Sequence, residues 1–140
     1  MLFGRNSLCR GGGISLVFLA LVLVIVPAIG AMEDLNGLRS RVEARWAALI
    51  EGDFDKAYAF ETPAYRALYN VRQYRGRYGN GLRWQQAKVV KTDLKSPGVA
   101  TVMLEIEYSF QVSGQGMMGQ RGSVTETWLW VDGQWWYQLQ

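Results

Sequence analysis

The chain has 140 residues, 49% of them apolar, with six Trp and a formal charge of +3. It contains no histidine and one cysteine, Cys9. That composition suits one packed domain plus a short extra segment. It excludes histidine-based acid–base or metal chemistry, and beyond Cys9 it excludes a disulfide or a thiolate metal site. Arg5 and Arg10 supply two of the positive charges, so residues 33–140 are nearly neutral and a basic pI is no argument for nucleic-acid binding.

Residues 14–31 carry no charge, with Arg5 and Arg10 before them and Glu33 and Asp34 after. A basic flank, an apolar run and small residues at its end make a secretory signal, with Ala28 and Gly30 suited to a cleavage site. The run is also just long enough to span a bilayer. Residues 1–31 are therefore expected to be a signal peptide or a transmembrane anchor. Either delivers residues 33–140 to a periplasmic or other extracytoplasmic compartment, secreted or membrane-anchored.

Leu35, Leu38, Val42, Trp46, Leu49 and Ile50 recur at intervals of three and four and predict an amphipathic helix. Arg39, Arg41, Glu43 and Arg45 suit its solvated face. Gly52 is a stop, and Asp53 an N-cap for a second helix. Thr62-Pro63 restarts a helical turn that Asn70 ends, and residues 71–78 form a short third helix. Gly79-Asn80-Gly81 breaks it.

Four strands follow. Residues 82–93 form the first, and Ser96-Pro97-Gly98 is a turn of type II order. Residues 99–112, VATVMLEIEYSFQV, are the longest clean alternation in the chain. Val102, Leu104, Ile106, Tyr108 and Phe110 fall on one face, and Met103, Glu105 and Glu107 on the other. A strand this long is expected to bend at a bulge. The glycines of SGQGMMGQRG predict a flexible loop. Residues 123–131 form the third strand, Asp132-Gly133 a hairpin turn, and residues 134–139 the last strand. Helices first and an antiparallel meander afterwards define an α+β class: three helices on one face of a curved four-stranded sheet.

A long first helix, the GDFDKAY break, a short third helix and a sheet ending in VDGQWWYQ resemble the nuclear transport factor 2-like superfamily over residues 33–140. These are cone-shaped domains that include ketosteroid isomerases and scytalone dehydratase-like enzymes. The resemblance implies a sheet curled round the helices, a pocket at the wide end, and frequent dimerisation through the outer sheet face. Membrane-anchored members serve as subunits of bacterial secretion assemblies. Function does not follow from the fold.

An isomerase-like site needs a carboxylate base with Tyr and acid donors. Glu126, which shares a face with Trp128 and Trp130, is a candidate cavity acid with a raised pKa. Glu61 and Tyr65 are candidates at the cone mouth. Glu105 and Glu107 point away by strand parity. Both faces of the last two strands are rich in apolar rings, which a half-wet sheet does not need. Trp128, Trp130, Trp135, Trp136 and Tyr137 are therefore expected to meet a protein partner or a second copy, joined by Met117 and Met118 at the loop tip. The block YNVRQYRGRYGNGLRW presents Arg72, Arg75, Arg77 and Arg83 to an anionic surface. No metal, cofactor or nucleic acid is expected. The sequence thus predicts an exported or membrane-anchored, non-enzymatic binding or assembly module. The alternative is a carrier or isomerase/dehydratase-like enzyme using the cavity for a small apolar ligand.

Overall fold

A computed structural model describes residues 34–79 and 81–139. The N-terminal run expected as signal or anchor lies outside them. Among the described residues no helix is long and apolar enough to cross a membrane.

Helix α1 (Leu35–Glu51) buries Leu38, Val42, Trp46 and Leu49 along one stripe. Gly52, at φ 75°, ends it. The Gly52 N–H donates to Leu49 O and the Asp53 N–H to Ala48 O, which is a Schellman closure. Asp53 then caps α2 (Phe54–Tyr58) by accepting from the Lys56 N–H, and Lys56 holds the Asp53 carboxyl below the usual carboxylate range. Thr62 caps α3 (Pro63–Leu68), with Pro63 in the first turn. Asn70 does not merely end that turn. Its side chain caps α4 (Val71–Gly76), and Gln73 reaches back to the Asn70 N–H to complete a capping box. The described residues thus hold four helical segments rather than three, because each break in this stretch carries its own cap.

The sheet is a meander in the order β1-β2-β3-β4, all antiparallel: β1 (Leu82–Ser96), β2 (Val99–Val112), β3 (Gly116–Val131) and β4 (Gln134–Gln138). Gly98 at φ 78° follows Pro97 as a type II turn requires, and Asp132 and Gly133 take φ 51° and 81° as a hairpin of type I′ does. β2 pairs with β3 without interruption from Val99↔Leu129 to Val112↔Gly116. The expected bulge lies in its other neighbour. β1 shifts register between Trp84 and Gln86, Val89 and Lys91, and Leu94 and Ser96. The extra residues make β1 the strand that bends.

The glycine-rich stretch is also not the loop that its composition predicts. Only residues 113–115 turn, and pairing resumes at Gly116. The length of β2 offers backbone partners as far as Val112, and glycine supplies donor and acceptor as well as any residue.

Helix α1 packs on one side of the sheet, with α2 against α1 and α4 against α2. That inner face presents Ala100, Val102, Leu104, Ile106, Trp128 and Trp135 to α1, and each is 5% exposed or less. Burying each large apolar side chain contributes about 1.5–3 kcal/mol. The free edge of β4 is closed by residues 60–62. The Thr62 N–H donates to Tyr137 O at 3.2 Å, and the Tyr137 N–H to Phe60 O at 2.8 Å. Asp34 sits beside the start of β4, where the Trp135 Nε1 donates to its carbonyl. Arg45, roughly 16 Å further along α1, meets Tyr78. The start of α1 and the arginine-rich α4 region therefore occupy opposite ends of the fold.

Candidate functional site

Position 45 follows Val42 by three residues, so helical periodicity turns Arg45 toward the sheet rather than onto the solvated face. The residue is 2% exposed. Its Nη1 donates to Glu126 Oε1 at 2.8 Å, and its Nη2 to the Tyr78 hydroxyl at 3.2 Å. Its guanidinium stacks 3.6 Å from the centre of the Tyr137 ring. Burial works against the charge of Arg45, but Glu126 together with Tyr78, Tyr74 and Tyr137 outweighs it, and the group stays protonated.

Glu126 is equally committed. Its Oε1 also accepts from Trp46 Nε1 at 2.9 Å, and its Oε2 accepts from Trp128 Nε1 at 3.0 Å. The Tyr78 hydroxyl donates onward to Tyr74 at 2.9 Å. Burial raises Tyr74, Tyr78 and Tyr137, the last to about 12, so all three remain neutral hydroxyls. The centre of the cone therefore holds a hydrogen-bonded cluster in which the Glu126 carboxylate is already bonded to Arg45, Trp46 and Trp128.

Glu61 is the second buried acid. It is 0% exposed, and among the described residues neither of its oxygens has a hydrogen-bond partner. The Arg45 Nη2 is 3.8 Å away. Burial pushes Glu61 up to about 7, against the pull of Arg45 and Arg77.

Two small clefts flank this cluster. One of about 350 Å³ runs past Trp46, Tyr78, Trp84 and Glu126. The other, of about 380 Å³, lies among Thr62, Tyr65, Tyr69, Gln73 and Gln138. Both are lined by Arg77 and Leu139.

The structure brings the three candidate cavity residues, Glu126, Glu61 and Tyr65, to one end of the cone, but neither acid is free and facing a hollow. The aromatic candidates do not form an outer patch. Trp128 and Trp135 are 0% and 1% exposed on the inner face. Trp130 shares that face with its ring 5.3 Å from Trp135, and Tyr137 covers Arg45. Trp136 has the opposite parity but is 8% exposed, lying under the guanidinium groups of Arg41 and Arg66. Trp128, Trp130, Trp135 and Tyr137 face inward because Glu126 pairs with Val102, which fixes their side of the sheet. Met117 and Met118 remain exposed, on β3 rather than on a loop.

Of the basic candidates, Arg72 and Arg83 are exposed, Arg75 pairs with Asp55 at 3.0 Å, and Arg77 donates to the Tyr65 hydroxyl at 3.0 Å. Sequence reasoning missed Arg45, Trp46, Tyr74 and Tyr78. The available signal was a cation lying on the apolar stripe of α1.

No family model matches the sequence, and no curated relative does. Solved structures do match. A candidate dehydratase of the nuclear transport factor 2-like family from Streptomyces avermitilis is 12% identical, with a TM-score of 0.55 over 74% of this chain and 91% of that one. A SEC-C motif protein from Rhodopseudomonas palustris is 18% identical, with a TM-score of 0.52 over 71% and 73%. A candidate calcium/calmodulin-dependent kinase II association domain from Exiguobacterium sibiricum is 15% identical, with a TM-score of 0.52 over 75% and 88%. The chain has the nuclear transport factor 2-like fold.

Proposed function

We propose that this chain is a non-enzymatic assembly module, exported or held at a membrane by residues 14–31, that pairs with a second copy of itself through the outer face of its sheet. One observation carries the reading. Helix α1 packs on the inner face, and on the outer face the described residues cover Trp136 with Arg41 and Arg66 but leave the β2–β3 half around Met103 uncovered.

The β2–β3 half of that face is apolar and threonine-rich. Met103 is 41% and Val131 37% exposed, beside Leu129, Thr101 and Thr125. Next to it lies a shallow hollow with both signs of charge, in Lys88, Arg121, Glu105 and Glu107. An apolar strip with mixed charge beside it is complementary to itself, as a two-fold contact requires. The Exiguobacterium neighbour is by its name an association domain, which agrees with this use of the fold. The filled cone supports the non-enzymatic part, since Arg45 and two indoles occupy Glu126.

The test is the mass of the full chain in detergent micelles, by sedimentation. The expected result is a two-chain species that Met103→Glu reduces to one chain without loss of secondary structure. A wild-type monomer overturns it.

A second reading is a carrier or isomerase/dehydratase-like enzyme for a small apolar ligand. It is favoured by the two clefts that share Arg77 and Leu139, and by a carboxyl at Glu61 that titrates near neutrality. The Streptomyces neighbour is by its name a candidate dehydratase. Tyr65 would line the ligand, and Glu61 would supply the proton. This reading predicts a small molecule that co-purifies with the chain and is lost with Tyr65→Ala.

A further inference from the structure

Glu61 has no part in the proposed contact, and its surroundings are unusual. Buried polar groups are nearly always hydrogen-bonded. Among the described residues, both of its oxygens lack a partner. The groups acting on it come from several elements: Arg45 of α1, Tyr74 of α4, Arg77 just beyond α4, and Glu126 of β3. Arg45 is already bonded to Glu126 at 2.8 Å and stands 3.8 Å from Glu61. Were both acids ionised, two buried carboxylates would share one buried cation, and the indoles of Trp46 and Trp128 would still point at Glu126. An unsolvated charge in that position is strongly disfavoured.

The backbone that carries Glu61 is lightly held. Residues 60–62 join β4 by two hydrogen bonds. The following helix, α3, contains no buried residue, and Leu68 at its end is 75% exposed. Beyond these, the segment is tied by the Phe60 and Glu61 N–H groups to the carbonyls of Ala57 and Tyr58, by the Tyr58 hydroxyl to the carbonyls of Arg66 and Tyr69, by Arg66 Nε to Glu61 O, by Arg77 to the Tyr65 hydroxyl, and by the part-buried rings of Phe60 and Tyr65. A strap whose helix buries nothing lies over an acid that no donor among the described residues reaches at full hydrogen-bond geometry, the Tyr74 hydroxyl being the one polar group besides Arg45 and Arg77 that favours its charge. Opening it frees Phe60 and Tyr65 from the edge of the core and gives the carboxylate water.

We propose that Glu61 is a proton-operated latch for residues 60–69: with its carboxyl neutral the strap stays closed on β4, and with its carboxyl ionised the strap lifts. Burial raises Glu61 from 4.5 to about 7 in the closed form, which agrees with this geometry. The neutral form is favoured by closure, so closure is fully supported below about pH 4.5 and loses support as pH rises through 7. Lifting also withdraws Arg66 from the Trp136 ring, 4.9 Å away.

Hydrogen exchange of the full chain in detergent micelles, corrected for intrinsic rates, tests this between pH 5 and 8.5. The amides of Thr62 and Tyr137 lose protection by about tenfold per pH unit up to about pH 7, then level off. Amides of the β2–β3 ladder do not change. Glu61→Gln, a neutral mimic, keeps Thr62 and Tyr137 protected at every pH. Flat protection in the wild type overturns the latch, as does an unchanged slope in the variant. Should the variant not fold, isotope-edited infrared spectra of the wild type decide. A buried glutamic C=O band that fades near neutral pH upholds the latch, and its absence overturns it.

Discussion

The two faces of the sheet solve opposite problems. The inner face buries charge and satisfies it internally, with Arg45 placed against Glu126 and both indoles aimed at the same carboxylate. The outer face buries only Ser109 and Trp136 among the described residues, and leaves Met103 and Val131 part-exposed. Changes to the inner face are therefore expected to reduce stability, whereas changes to the outer face reduce association. Within the inner face, Glu126 and Glu61 repeat the lesson at smaller scale. They are almost equally buried, and three donors lie within 3.0 Å of Glu126 while Arg45 stands 3.8 Å from Glu61.

The comparison can be broken at several points. Arg45→Met has the largest expected effect. It leaves Glu126 buried without its cation and destabilises the fold by about 3–5 kcal/mol, measured by urea unfolding at pH 7. Adding Glu126→Gln to that variant recovers part of the loss, since a neutral amide does not need the cation.

Glu61→Gln has the opposite sign. The raised value of Glu61 means that the wild type is at full advantage below about pH 4.5 and loses it through pH 7. The variant therefore matches the wild type near pH 4.5 and exceeds it by up to about 3 kcal/mol at pH 8. Unfolding curves at the two pH values measure the difference.

Asn70→Ala removes the capping box of α4 and costs about 1 kcal/mol, read from the same curves. Met103→Glu changes the unfolding free energy of the single chain by no more than about 0.5 kcal/mol, as exposed substitutions do. Its effect falls on association instead.

Much of the fold was legible. Alternation placed β2, and parity turned Glu105 and Glu107 away from the helices while keeping Glu126 with Trp128. Asp53, Thr62 and Asp132-Gly133 do what their local chemistry dictates. The site was less legible, for three physical reasons. Arg45 reads as solvated because the carboxylate that holds it is 81 residues away. Glu61 reads as a rim charge because its burial depends on residues 60–62 pairing with β4, a contact that no local pattern encodes. The tryptophans read as an outer patch because the glycines at 116, 119 and 122 hide seven residues of β3. Without them the register between β2 and β3 stays open, and so does the side to which the rings belong.

Native mass spectrometry of the full chain, released from detergent micelles, tests the central claim most directly. The account predicts a mass of two chains, with no small molecule bound, that falls to one chain on Met103→Glu. A single-chain mass carrying a bound small molecule would contradict it and place the function inside the cone.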